Sequence, residues 1–117
     1  MLLTEDLLTR VQKESILLVI SAANLNTYCV AVHCEMLRAM GVSPEDSDQI
    51  AVDHRQAFLP EADKALLDFA LKLAVRPTEF RREDMDPLVH HGFSEEQVLE
   101  AVVMTSLTSD AAAAASR

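Results

Sequence analysis

Cys29 and His33 stand four residues apart in the stretch 25–35, Leu-Asn-Thr-Tyr-Cys-Val-Ala-Val-His-Cys-Glu, which has helical character. On a helix that spacing puts both side chains on one face about one turn apart, with roughly 5–6 Å between Cβ atoms. Helical side chains lean toward the N-terminus, so the imidazole tilts back toward the sulfur. Asn24, Asn26 and Thr27 all favour a helix start, and Asn26 is the expected N-cap, which sets Cys29 in the first turn. Free backbone N–H groups and the positive helix end stabilise a thiolate there, and a nearby imidazolium adds to the effect. The expected product is an acidic, nucleophilic cysteine, with a histidine able to shuttle its proton to a leaving oxygen. The same spacing also suits plain core filling, with a buried thiol and a histidine satisfied by a hydrogen bond.

Glu14 is the next group of interest. It precedes an apolar run over residues 16–23 and lies i, i+3, i+4 and i+7 with Leu17, Leu18 and Ser21, so its carboxylate borders the face expected to be buried. The alternative is a solvated acid at the helix edge. Cys34 is five residues from Cys29, which turns the two thiols about 140° apart on a helix and argues against a bond between them within one straight helix. His33, Cys34, His54, His90 and His91 supply metal-ligand atoms, but neither a Cys-x-x-Cys nor a His-Glu-x-x-His spacing is present, so no metal and no cofactor is expected. His90 and His91, just before Gly92, fit the end of a helix, where positive charge complements the dipole.

Composition bounds the elements that must hold these groups. The chain of 117 residues is one domain, expected over residues 1–110. Half of its residues are hydrophobic but only 4% are aromatic, so the core must be built of aliphatic side chains, a palette that favours helix. A net charge of −9 excludes the clustered basic surface that nucleic acid requires. The run 16–23 is too short for a membrane span, and the acids and bases before it do not make the cationic lead of a signal peptide. Two cysteines do not make a secreted disulfide framework, so a reducing, cytoplasmic setting is expected.

Thr4 with Glu5 and Asp6 reads as a capped helix start, opening a first helix, in one or two pieces, that ends near Ala23. The motif helix follows over about 26–40, with Gly41 as its C-cap. Ser43-Pro44-Glu45-Asp46 starts a third helix expected to reach about Ala57. Apolar residues at 62, 65, 66, 69, 70, 73 and 74 predict a helix over 61–75, stopped by Arg76-Pro77. A short helix at about 82–91 and a last helix capped by Ser94 and Gln97, reaching at least Leu107, complete an all-α bundle of about six helices. The alanine-rich tail 111–117 fits either a helical tail or residues that are not native to the protein, and carries no functional reading.

Glu14, eleven residues, Asn26, two residues, Cys29, three residues and His33, with Tyr28 before the cysteine and Ala31 between, resembles the active-site signature of the alkylhydroperoxidase D and carboxymuconolactone decarboxylase superfamily. The resemblance covers roughly residues 5–108 and is nearest to the peroxidase-related branch, whose members run longer at the N-terminus, so the chain fits the core of a larger protein. It implies that Cys29 attacks a small hydroperoxide while Glu14 and His33 relay its proton, with Asn26, Tyr28 and Cys34 as accessory residues. Asn26 departs from the pattern, because the family's peroxidases carry a cysteine there. Without that Cys-x-x-Cys pair, oxidised Cys29 is left to an external thiol, to Cys34 of another subunit, or to no resolution at all. Two rival readings follow: a decarboxylase or lactone-processing enzyme using His33 and Glu14 as acid and base, and a non-enzymatic redox sensor or oligomeric module. Because half of a short chain is apolar, and because the resemblance implies trimers or hexamers and in some relatives dimers, a homo-oligomer is expected.

Overall fold

The structure is a computed structural model that describes the backbone of residues 8–115 and side chains through residue 108. Its helices are α1 (Arg10–Ala23), α2 (Thr27–Ala39), α3 (Pro44–Asp53), α4 (Glu61–Val75), α5 (Asp86–His90) and α6 (Glu95–Ala115), and no strand occurs among the described residues. The alanine run continues α6 as far as Ala115.

The run 16–23 explains the architecture. A helix apolar nearly all round is stable only when neighbours cover most of it, and α1 packs against α2, α3, α4 and α6. Ile16, Leu18 and Ile20 are fully buried, and Leu37, Ile50, Leu66, Leu67 and Leu88 meet them from the surrounding helices. The core is aliphatic, as the composition requires. Phe69 and Phe80 supply one edge-to-face aromatic contact, 5.3 Å between ring centroids.

Capping sets where the helices begin. The expected start at Thr4 lies outside the described residues; within them α1 opens on Thr9, whose hydroxyl accepts from the Gln12 N–H while the Gln12 amide oxygen accepts from the Thr9 N–H. Ser94 and Gln97 make the same reciprocal pair ahead of α6. Ser43 caps α3 through the Asp46 N–H.

Two boundaries differ from the expected ones. The third helix stops at Asp53 rather than near Ala57, and residues His54–Gln56 form a 3-10 turn. Asp53 causes this by accepting the Arg55 N–H on its side chain at 3.1 Å, which takes the donor that an α-helix would direct to residue 51. The helix expected over 82–91 begins as a 3-10 turn, Arg82–Met85, and becomes α5 only afterwards. Pro87 has no N–H for the carbonyl of Glu83, so a continuous α-helical ladder is impossible there.

Three helix ends close in one way. At α1, α2 and α5 a residue of positive φ is followed by one whose N–H reaches back five residues: Asn26 to Ser21, Val42 to Leu37, and Phe93 to Leu88. Gly41 and Gly92 fill the positive-φ position at two of them, where a Cβ would be strained. At α1 the residue is Leu25, with φ of 57°, a conformation that costs an ordinary side chain about 1–2 kcal/mol.

Candidate functional site

The α1–α2 turn places the chemistry. Asn26 ends one helix and starts the next, and its side-chain oxygen accepts the Cys29 N–H at 3.1 Å, so the expected N-cap is present. Cys29 therefore occupies the first turn of α2 with a half-buried side chain, one turn ahead of His33. Its own N–H is spent on the cap, which leaves the amides of Thr27 and Tyr28 as the open donors of that helix end.

Glu14 reaches His33 from the neighbouring helix. Their Oε2 and Nδ1 atoms are 2.7 Å apart, and the two side chains are 6% and 18% exposed. The carboxylate is thus buried against the imidazole and is not a solvated acid at the helix edge. Its rotation toward α2 has a cause that the sequence reading did not single out. Lys13, one residue earlier, is fully buried and forms an ion pair of 3.3 Å with Glu100 of α6. The second oxygen of Glu100 accepts the Leu8 N–H at 2.9 Å. A buried ammonium without a carboxylate is costly, so this pair fixes how α1 is turned and which side Glu14 faces. The only trace of it in the sequence is a lysine at i, i+3 and i+7 with Ile16 and Ile20, on the apolar face.

The structure thus joins Glu14 with His33 and sets both beside the helix turn that bears Cys29. The accessory residues are divided. Asn26 is the cap. Tyr28 points outward and is 77% exposed. Cys34 lies on the other flank of α2, 6% exposed, with its sulfur 3.8 Å from the carbonyl oxygen of Ser47. Burial, with the carboxylates of Asp48 and Glu35 adding to it, pushes the Cys34 thiol up against the opposing pull of Arg38. A buried thiol pushed up in this way is a slow partner for another subunit's oxidised cysteine, which counts against Cys34 as a resolving residue.

A second histidine–carboxylate pair, not anticipated from the sequence, lies between the exit of α3 and α4. His54 Nε2 is 2.6 Å from Asp68 Oδ1, and Arg55 binds the other carboxylate oxygen at 2.5 Å. Among the described residues no group of three or more His, Cys, Asp or Glu side chains is arranged to hold a metal ion, and no helix is long and apolar enough to cross a membrane.

The fold has known counterparts. The chain is 33% identical to an uncharacterized peroxidase-related protein from Ralstonia eutropha JMP134, described as an alkylhydroperoxidase AhpD core, with a TM-score of 0.88 over 95% of this chain and 58% of that one. An uncharacterized peroxidase-related protein from Silicibacter sp. TM1040 is 26% identical, with a TM-score of 0.90 over 96% of this chain and 59% of that one. The chain therefore spans less than two thirds of the length of these relatives. No curated protein matches it in sequence. Residues 1–74, more than half of the chain and inclusive of Glu14, Asn26, Cys29 and His33, match the model of one family. With the helical fold of the two relatives around it, that match makes the chain a member of the carboxymuconolactone decarboxylase family.

Proposed function

We propose that the protein is a thiol-dependent peroxidase that reduces small hydroperoxides at Cys29. The observation that carries this reading is the 2.7 Å contact between buried Glu14 and His33, one helical turn from a half-buried cysteine at a helix start. An ionised carboxylate only accepts hydrogen bonds, so Glu14 holds the proton of His33 on Nδ1 and leaves Nε2 free to exchange one. Nε2 takes the Cys29 proton. The thiolate attacks a peroxide oxygen, the O–O bond breaks, and the same proton leaves with the alkoxide as an alcohol. Cys29 is oxidised by two electrons to the sulfenic acid. An external thiol then condenses with it, releasing water and forming a mixed disulfide, and a second thiol equivalent frees Cys29.

The external reductant is part of the proposal because Asn26 occupies the place of a second motif cysteine and Cys34 is buried on the other flank. The working species is taken as a cytoplasmic homo-oligomer, supported by the large apolar side chains that a single chain leaves exposed. Peroxide consumption with a thiol reductant, measured for the wild type and Cys29→Ser, tests the chemistry. Multiple turnover that Cys29→Ser abolishes supports it; a sulfenic acid that forms once and is not recycled makes the protein a sensor.

One observation favours a second reading. The Glu14–His33 pair is complete without the thiol and has the geometry of an acid–base unit for decarboxylation or lactone processing. Full activity of Cys29→Ser on such a substrate selects it over the peroxidase.

A further inference from the structure

Ile16, Leu17, Leu18, Val19 and Ile20 make α1 apolar on every side, and α2, α3, α4 and α6 pack around it. Apolar contact is non-directional, so a helix of this kind buries nearly the same area after a turn about its own axis. Packing alone therefore leaves open which side Glu14 faces. The relay of the proposed function requires one side only, the one on which Glu14 Oε2 lies 2.7 Å from Nδ1 of His33. A directional contact has to select that rotation.

Lys13 and Glu100 supply one. Their side chains are 0% and 6% exposed, and Nζ and Oε2 are 3.3 Å apart. Such a pair requires two charges to be desolvated, and apolar side chains of like volume commonly hold a core as well or better. Stability is thus a weak reason for it, and register is a better one. Glu100 accepts the Leu8 N–H on its other oxygen at 2.9 Å, so one carboxylate of α6 grips the chain two residues ahead of α1 and again at the end of its first turn. The first grip sets the position of the helix along its axis, and the second sets its rotation. Glu14 follows Lys13 by about 100° around the helix, so holding Lys13 against α6 carries Glu14 round to α2.

We propose that Lys13 and Glu100 are positioning residues for the Glu14–His33 relay, buried to fix the rotation of α1 rather than to stabilise the fold. They act through Glu14, so the chemistry at Cys29 depends on the pair more than folding does. The proposal rests on the relay of the proposed function and not on the identity of its substrate.

The protonation site of neutral His33 tests it. A carboxylate on Nδ1 holds the ring proton there, and an imidazole released from that acceptor shares the proton with Nε2. Long-range nitrogen–proton NMR correlations, assigned by their loss in His33→Ala, separate the two forms without any substrate. In Lys13→Met/Glu100→Gln the buried charges are gone and the amide oxygen still accepts the Leu8 N–H, so the thermal melt is expected to stay close to wild type. His33 should pass from the Nδ1–H form in the wild type to a mixture with Nε2–H. Turnover per folded molecule should fall about tenfold, less than in Glu14→Gln, because the relay is misaligned and not removed. Glu100→Gln alone preserves volume, but its single oxygen serves Lys13 or Leu8 and not both. It is expected to move the tautomer in the same direction, which keeps the test decisive if the double variant does not fold. A His33 proton that stays on Nδ1 in the folded variants overturns the proposal, and loss of the fold in both variants makes the pair structural and overturns it too. A wild type without the Nδ1–H form overturns it together with the relay, whereas absence of peroxide turnover alongside the expected tautomer change sinks the peroxidase alone and supports the positioning role.

Discussion

Two histidine–carboxylate pairs of nearly equal length occupy opposite kinds of environment. In the Glu14–His33 pair, at 2.7 Å, the carboxylate is the buried member, at 6% exposed, and the imidazole is the more accessible one. In the His54–Asp68 pair, at 2.6 Å, the imidazole is buried at 8% while the carboxylate is 45% exposed and divides its oxygens between His54 and Arg55. A buried acid behind a reachable imidazole can tune a proton carrier. A buried imidazole held by a surface acid is better placed to tie one element to another. The contact distance is the same, and burial decides between chemistry and scaffold.

Exchanging the roles is the strongest way to break this contrast. Glu14→Gln and His33→Ala are each expected to lower peroxide turnover by about 10²-fold or more, the usual weight of a positioned acid or base, with melting temperature measured alongside. His54→Ala should show the reverse: turnover per folded molecule close to wild type, and a loss of roughly 1.5–3 kcal/mol in urea unfolding from removal of a charge-assisted hydrogen bond. Unimpaired turnover in Glu14→Gln would merge the two pairs into one structural class.

The thiols give a second contrast across α2. Alkylation followed by peptide mass spectrometry should modify Cys29 at least about tenfold faster than Cys34 near neutral pH, because the thiolate is the reactive form and Cys34 is both buried and held protonated. His33→Ala is expected to slow Cys29 and leave Cys34 unchanged. The sign of the pH effect on stability follows. A thiol raised in the folded state stabilises below its unfolded value and loses that contribution as pH rises through the folded one, so Cys34→Ala should flatten the alkaline end of the stability profile. Equal labelling of both cysteines in the native protein would dissolve the contrast.

Much of this was legible in the sequence, for identifiable reasons. The helix Glu61–Val75 follows from an uninterrupted 3.6-residue period, and the Asn26 cap from local side-chain chemistry. The spacing of Cys29 and His33 needed only helical geometry. That Glu14 meets His33, 19 residues away, came through family resemblance, because no local rule sets the rotation of α1. That rotation depends on Lys13 meeting Glu100, 87 residues on, a pairing that no sequence window contains. The end of α3 was missed for a related reason: Asp53 takes the Arg55 N–H and His54 turns to Asp68 on α4, so local capping and tertiary contact override a sequence that could have continued as helix.

Asn26 separates fold from chemistry in one residue. Asn26→Cys restores the family's dithiol spacing but deletes the cap on the Cys29 N–H, so a cost of about 1 kcal/mol in unfolding is expected when reduced. If absence of a second thiol limits recycling, the same variant turns over faster with a dithiol reductant. A stable, oxidisable variant with no gain would show that resolution is not the slow step.

The smallest effect is expected at Arg55, and it sharpens the scaffold side of the comparison. Its guanidinium binds Asp68 at 2.5 Å, yet the two side chains are 49% and 45% exposed. Water and salt screen such a pair, and ordering a long side chain offsets much of the Coulomb attraction, so exposed ion pairs contribute between about 0 and 1 kcal/mol. Arg55→Ala should therefore change stability by less than about 0.5 kcal/mol, a difference that shrinks further in high salt, while His54→Ala keeps its full cost in the same buffer. A large, salt-insensitive loss in Arg55→Ala would mean that the guanidinium, rather than the buried imidazole, anchors the exit of α3 to α4.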